Sequence, residues 1–115
     1  MKRMIYKYPI PAIPGEIQTI NDKIIEVLDI QYQYGKPTMW AIVDADAQMG
    51  VPFKIAAFGT GWEIPDAAKQ YLGTLQDTEG YVWHYFSIEV EELREKPEEK
   101  SYMQMKEEAL AVLAQ

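Results

Sequence analysis

The run Lys23-Ile24-Ile25-Glu26-Val27-Leu28-Asp29-Ile30-Gln31-Tyr32-Gln33-Tyr34, closed by Gly35-Lys36-Pro37, decides the fold class. Its apolar residues at 24, 25, 27, 28 and 30 fit one face of a helix nearly as well as a strand. The β-branched content, the Gln31-Tyr32-Gln33-Tyr34 alternation and the turn residues that follow favour a long strand, bulged near Val27-Leu28.

Outward from that strand, Thr38 to Val43 returns as its hairpin partner and a loop runs from Asp44 to Gly50. Val51 to Phe58 is the next strand, ending in Gly59-Thr60-Gly61. Pro65 to Lys69 has the composition of a single helical turn, with Pro where a helix tolerates it best. Tyr71 to Leu75 and Tyr81 to Ile88 form a last pair of strands around the loop Asp77-Thr78-Glu79-Gly80. On the N-terminal side, Met4 to Tyr8 alternates and stops at Pro9-Ile10-Pro11, which cannot continue a ladder, and Glu16 to Ile20 alternates again before Asn21-Asp22. Short strands at this spacing predict a mainly β domain, a small antiparallel sandwich or partly open barrel, over residues 1–90.

The composition changes after Ile88. Residues 91–100 form a charged linker interrupted by Pro97, and Ser101 with Gln104 fits a capping box that opens a helix over 101–115. Tyr102, Met105, Ala109 and Val112 or Leu113 recur at helical spacing, which makes the chain α+β overall. A lone helix of about 15 residues is marginal in water, so it must dock on its own sheet or on another copy, and a homo-oligomer is expected.

The 115 residues supply one core, and 48% apolar residues with 14 aromatics are ample to fill it. A net charge of −7 repels phosphate backbones and anionic lipid, which argues against nucleic acid and membrane surfaces as partners. There is no Cys, so no disulfide framework or thiolate metal site is available. Pro9, Pro11 and Pro14 interrupt any apolar leader after Lys2 and Arg3, and the expectation is a cytoplasmic protein that begins at Met1.

Nucleophilic catalysis needs a Ser, Cys or Thr beside an oriented base, and this chain has one His and two Ser. His84 shares a strand face with Val82 and Phe86, where a satisfied, half-buried imidazole is the simpler account. Two or more His or Cys for zinc or iron are absent, and Asp44 with Asp46 suits a turn better than a weak hard-cation site. No catalytic residue, metal ligand or cofactor is therefore assigned. The candidate ligand-binding residues are Gly59, Thr60 and Gly61, whose backbone N–H groups can face an anion, with Trp62 beside them and Lys54 as counter-charge. This turn lacks the Lys-Ser/Thr ending of a phosphate loop and the third Gly of a dinucleotide fingerprint. Tyr32 and Tyr34, with Tyr6 and Tyr8, could form a flat aromatic contact surface, while Trp40 and Trp83 fall mid-strand, where a core role is the default.

Taken together, Ile5-Tyr6-Lys7-Tyr8-Pro9, Trp40-Ala41-Ile42-Val43-Asp44, Gly59-Thr60-Gly61 with Ile64-Pro65, Tyr71-Leu72-Gly73-Thr74 and Val82-Trp83-His84-Tyr85-Phe86 resemble a family of short phage and prophage proteins of unknown function. The resemblance spans residues 4–88 and implies a phage or mobile-element origin, with no catalytic residues to carry over; residues 91–115 and Trp62 depart from its pattern.

The function expected from this reading is a non-enzymatic phage accessory protein that acts in counter-defence. It would sequester a small anionic, nucleotide-type ligand or block a host protein. A virion or scaffold component without ligand, and a phosphoesterase using Asp44, Asp46 and a divalent ion, are the alternatives.

Overall fold

The computed structural model describes residues 1–48 and 50–89. In chain order these form β1 (Arg3–Pro9), β2 (Ile17–Ile20), β3 (Lys23–Gln33), β4 (Lys36–Asp44), β5 (Phe53–Gly59), β6 (Ala68–Gln76) and β7 (Val82–Ile88). The strands make two antiparallel sheets, β1-β4-β3 and β2-β5-β7-β6, and no helix occurs among the described residues. The linker 91–100 and the helix expected over 101–115 lie outside them.

Alternation along β4 explains the core. Met39, Ala41 and Val43 have no solvent exposure, whereas Trp40 and Ile42 point the other way and are half-buried. Met39 and Ala41 pack with Ile55 and Ala57 of β5, Leu75 of β6 and Trp83 and Tyr85 of β7. Trp83 is thus a core residue as expected, but Trp40 is not: it stands on the outward face of the three-stranded sheet. The link from β1 to β2 buries Ile10, Pro11 and Pro14. The Tyr85 hydroxyl donates to the Pro11 carbonyl at 2.7 Å, which satisfies a phenol whose burial pushes its pKa up.

The long strand is bulged twice. Its register against β4 slips between Ile24 and Glu26 and again between Val27 and Asp29. The extra residues Ile25 and Leu28 are 40% and 44% exposed, while Ile24, Val27 and Ile30 all face the core. Ile30 is also where the two sheets close on each other. A Cβ built at Gly73 of β6 would lie 2.5 Å from Ile30 Cγ1, so the bare glycine backbone, at φ 151°, lets β6 approach β3.

Two local expectations are corrected. Pro65 to Lys69 is no helical turn: a single hydrogen bond from the Ala68 N–H to the Pro65 carbonyl makes a tight turn, and Ala68 already pairs with Ile88. Pairing to β7 takes up this backbone instead: the Glu89 N–H donates to the Ala67 carbonyl at 2.8 Å, one residue before the Ala68–Ile88 pair. The β3–β4 hairpin turns on Tyr34 and Gly35, with φ of 53° and 77°, so Lys36 and Pro37 belong to β4.

Candidate functional site

The outward face of the four-stranded sheet carries the densest chemistry. On β7, Trp83 and Tyr85 point inward, which sends Val82, His84, Phe86 and Ile88 outward. Register sets the neighbours: His84 pairs with Phe58 of β5 and Thr74 of β6, and Phe86 pairs with Ala56 and Tyr71. A straight β6 would place Tyr71 and Thr74 on opposite faces. The register slip between Tyr71 and Gly73 inserts Leu72 as an extra residue and brings both side chains outward.

A chain of hydrogen bonds results. The Tyr71 hydroxyl meets Thr74 Oγ1 at 2.5 Å, Thr74 Oγ1 meets His84 Nδ1 at 3.0 Å, and His84 Nε2 meets Thr60 Oγ1 at 2.8 Å. Hydroxyls both donate and accept, so the imidazole is satisfied whichever nitrogen carries its proton. Beside the chain, Phe58 meets Phe86 edge-to-face at 6.1 Å and Tyr71 meets Phe86 at 5.6 Å. Ala56, Phe58, Ala67 and Ile88 form a second apolar cluster here, outside the main core. Tyr71 remains 56% exposed at its border.

In chemical terms the imidazole touches one hydroxyl on each side. Those two hydroxyls, Thr74 on Nδ1 and Thr60 on Nε2, fix the orientation of the ring.

The glycine turn adjoins this chain through Thr60. The Trp62 N–H donates to the Gly59 carbonyl at 3.2 Å and Gly61 takes φ 87°, as the third position of such a turn requires. Gly59 is bare for a packing reason: a Cβ there would meet the Trp62 indole at 2.7 Å. The Trp62 ring, half-buried, lies over Gly59 and meets Trp83 edge-to-face at 5.8 Å. It therefore packs on both apolar clusters rather than standing free beside open amides.

The other expected site residues are distributed. Lys54 lies at the opposite end of β5 from Gly59, roughly 16 Å away at the strand rise, and donates to Thr19 Oγ1 at 3.0 Å. It lines a cleft of about 1060 Å³ in which Lys23 and Lys54 are balanced by Asp22 and Glu89. Tyr32 is half-buried against the core, where burial and the charge of Asp77 push its phenol pKa up. Asp77 in turn accepts from the Trp83 indole N–H at 3.1 Å, which links Tyr32 by way of Trp83 to Trp62. Tyr34, 92% exposed, occupies the hairpin turn. Tyr6 and Tyr8 belong to β1, which is separated from β3 by β4, so the four tyrosines make no single stripe. Tyr8 donates to Asp22 Oδ2 at 2.7 Å.

Asp44 and Asp46 form a turn, the Asp46 N–H donating to Asp44 Oδ1 at 3.0 Å. Among the described residues no group of three or more His, Cys, Asp or Glu could hold a metal ion, and no helix is long and apolar enough to cross a membrane.

A family described as a domain of unknown function, DUF7352, matches residues 1–96, which includes every strand among the described residues and the outward face they form. The chain belongs to this family. No curated protein and no solved structure matches it. The family description names no activity, and the functional reading rests on the outward face itself.

Proposed function

We propose that this chain is a non-enzymatic binding protein, of the phage accessory kind its sequence resembles, whose contact surface is the outward face of the four-stranded sheet around Tyr71, Thr74, His84 and Thr60. The observation that carries the reading is the exposed Tyr71 ring, packed on Phe86 and tied to the imidazole through Thr74. An aromatic body with fixed donors and acceptors beside it is the composition of interface centres. Of the two ligand classes expected, a host protein is favoured over a small anionic ligand. Lys54, the cation expected to serve the glycine turn, stands at the other end of β5 on Thr19, Trp62 packs on the apolar clusters, and the net charge of −7 suits a basic protein surface.

The test is co-purification of the tagged full chain from its host at low and at high salt. The expected result is a stoichiometric protein partner that leaves at high salt and is lost in Tyr71→Ala, with the far-UV circular dichroism of that variant unchanged. A partner held equally by Tyr71→Ala, or turnover of a phosphoester by the pure chain, overturns the reading.

A further inference from the structure

The strand order β1-β4-β3 leaves one side of β1 without a partner strand among the described residues. The phase of its ladder is fixed at both ends. The Ala45 N–H donates to the Lys2 carbonyl at 2.8 Å, the Ile10 N–H donates to the Pro37 carbonyl at 3.3 Å, and the register between them is unbroken. Alternate residues of an antiparallel pair bond the same neighbour, so the even-numbered residues serve β4. The N–H groups of Arg3, Ile5 and Lys7 therefore point to the free edge. Pro9, which has no N–H, ends the strand in the same phase, on the side where an edge strand tolerates proline.

The side chains along this edge are exposed and basic. Ile5 is 62% exposed, Met4 and Tyr6 are 38% exposed, and Arg3 and Lys7 flank Ile5 on the outward face. Residues 1–15 contain Lys2, Arg3 and Lys7 and no Asp or Glu, in a chain of net charge −7. None of the three pairs with a carboxylate among the described residues. Lys7 donates to the Gln33 amide oxygen at 2.6 Å, and Asp44, across from Arg3 on β4, accepts from the Asp46 N–H.

We infer that this edge takes an extended acidic segment of a partner protein as an added strand. A row of unpaired N–H and C=O groups is completed by a strand, and main-chain bonds of that kind recognise extended peptides. Charge selects which strand. A second copy of β1 would set this basic strand against an identical one, so the cations guard the edge against self-pairing. A segment whose acids are spaced as Arg3 and Lys7 are, with an apolar residue midway, sets carboxylates beside both cations and covers Ile5. The order basic, apolar, basic reads alike in both directions, so a segment of either polarity fits.

Fluorescence anisotropy of a labelled peptide added to the full chain tests this. The probe is Ser-Ser-Glu-Thr-Val-Thr-Glu-Ser-Ser. One control carries Lys at both Glu positions, and another is N-methylated at its three central residues and cannot donate to the edge. The expected result is saturable binding that each control, and the Arg3→Glu/Lys7→Glu variant with the parent probe, weakens at least about tenfold. Both substituted sites are exposed, so the fold survives the change. No saturable binding up to about 1 mM probe overturns the inference. Equal binding of the N-methylated peptide also overturns it, because the contact is then charge without an added strand. Self-association of the chain that excludes the probe would assign the edge to a second copy and overturn it as well. The variant leaves Tyr71 and His84 in place on the other sheet, so failure here leaves the proposed contact surface standing.

Discussion

A methyl group added at Gly73 would sit 2.5 Å from Ile30 Cγ1, and the backbone there has φ 151°, which L side chains rarely adopt. Gly73→Ala must push β6 off β3 or strain the chain, and an overpacked core contact of this kind costs about 1–3 kcal/mol. Urea unfolding should show that loss. Gly50→Ala serves as the control: an added Cβ there meets nothing within 4 Å, so its stability should stay within about 0.5 kcal/mol of the parent. An equal loss in both variants would show that Gly73 is not the contact that limits the approach of the sheets. At the same scale, Gly59 and Trp62 show why a glycine motif is ambiguous. The stretch Gly59-Thr60-Gly61 was legible in the sequence as a turn, but the sequence does not show that the space above Gly59 is filled by the Trp62 indole. The residue that does face outward from this turn is Thr60, through its hydroxyl on His84.

The Asp77 side chain gathers the donors of the β6–β7 hairpin loop. Asp77 accepts from the backbone N–H groups of Glu79 and Tyr81, each at 2.9 Å, and from the Trp83 indole. Desolvation pushes its carboxyl pKa up, but these donors, with the Gly80 N–H, outweigh it and leave the pKa below the ordinary aspartate value. A carboxyl with a lowered folded-state pKa contributes stability above its unfolded pKa and loses it as pH falls through the folded one. The wild type should therefore lose hairpin stability below about pH 4, and Asp77→Asn should be less stable at neutral pH and lack that acid-dependent step. Thermal melts from pH 7 down to pH 2 would show it; parallel pH profiles for the two proteins would contradict it. Strand bounds were largely legible in alternation and turn residues, and β1, β2, β3 and β7 lie within a residue or so of their expected ends. The helix-like spacing of Ile24, Val27 and Ile30 has a physical cause: two bulges shift the alternation so that residues three apart face the core. A bulge also explains why the site was missed. His84 and Phe86 could be placed on one face from the sequence, but Tyr71 and Thr74 share that face only because Leu72 is an extra residue, and cross-strand register is not written in local composition.

For the whole molecule, each of the two sheets turns one face inward and leaves the other with aromatic side chains at its centre. On the four-stranded sheet these are Phe58, Phe86 and Tyr71, and on the three-stranded sheet Trp40 with Ile5 and Ile42. Of the candidate site that composition suggested, a glycine turn with Lys54, Tyr32 and Tyr34, β5 holds Lys54 and Gly59 at opposite ends of one strand. The contact surface proposed in its place is a row of side chains on β6 and β7. The most direct test of that replacement is amide hydrogen exchange on the chain alone and in complex with its co-purified partner. The expected result is slowed exchange at residues 69–76 of β6 and in the turn at residues 60–62. Slowing confined to the loop at residues 45–52, or none on β6, would contradict the assignment of this face as the contact surface.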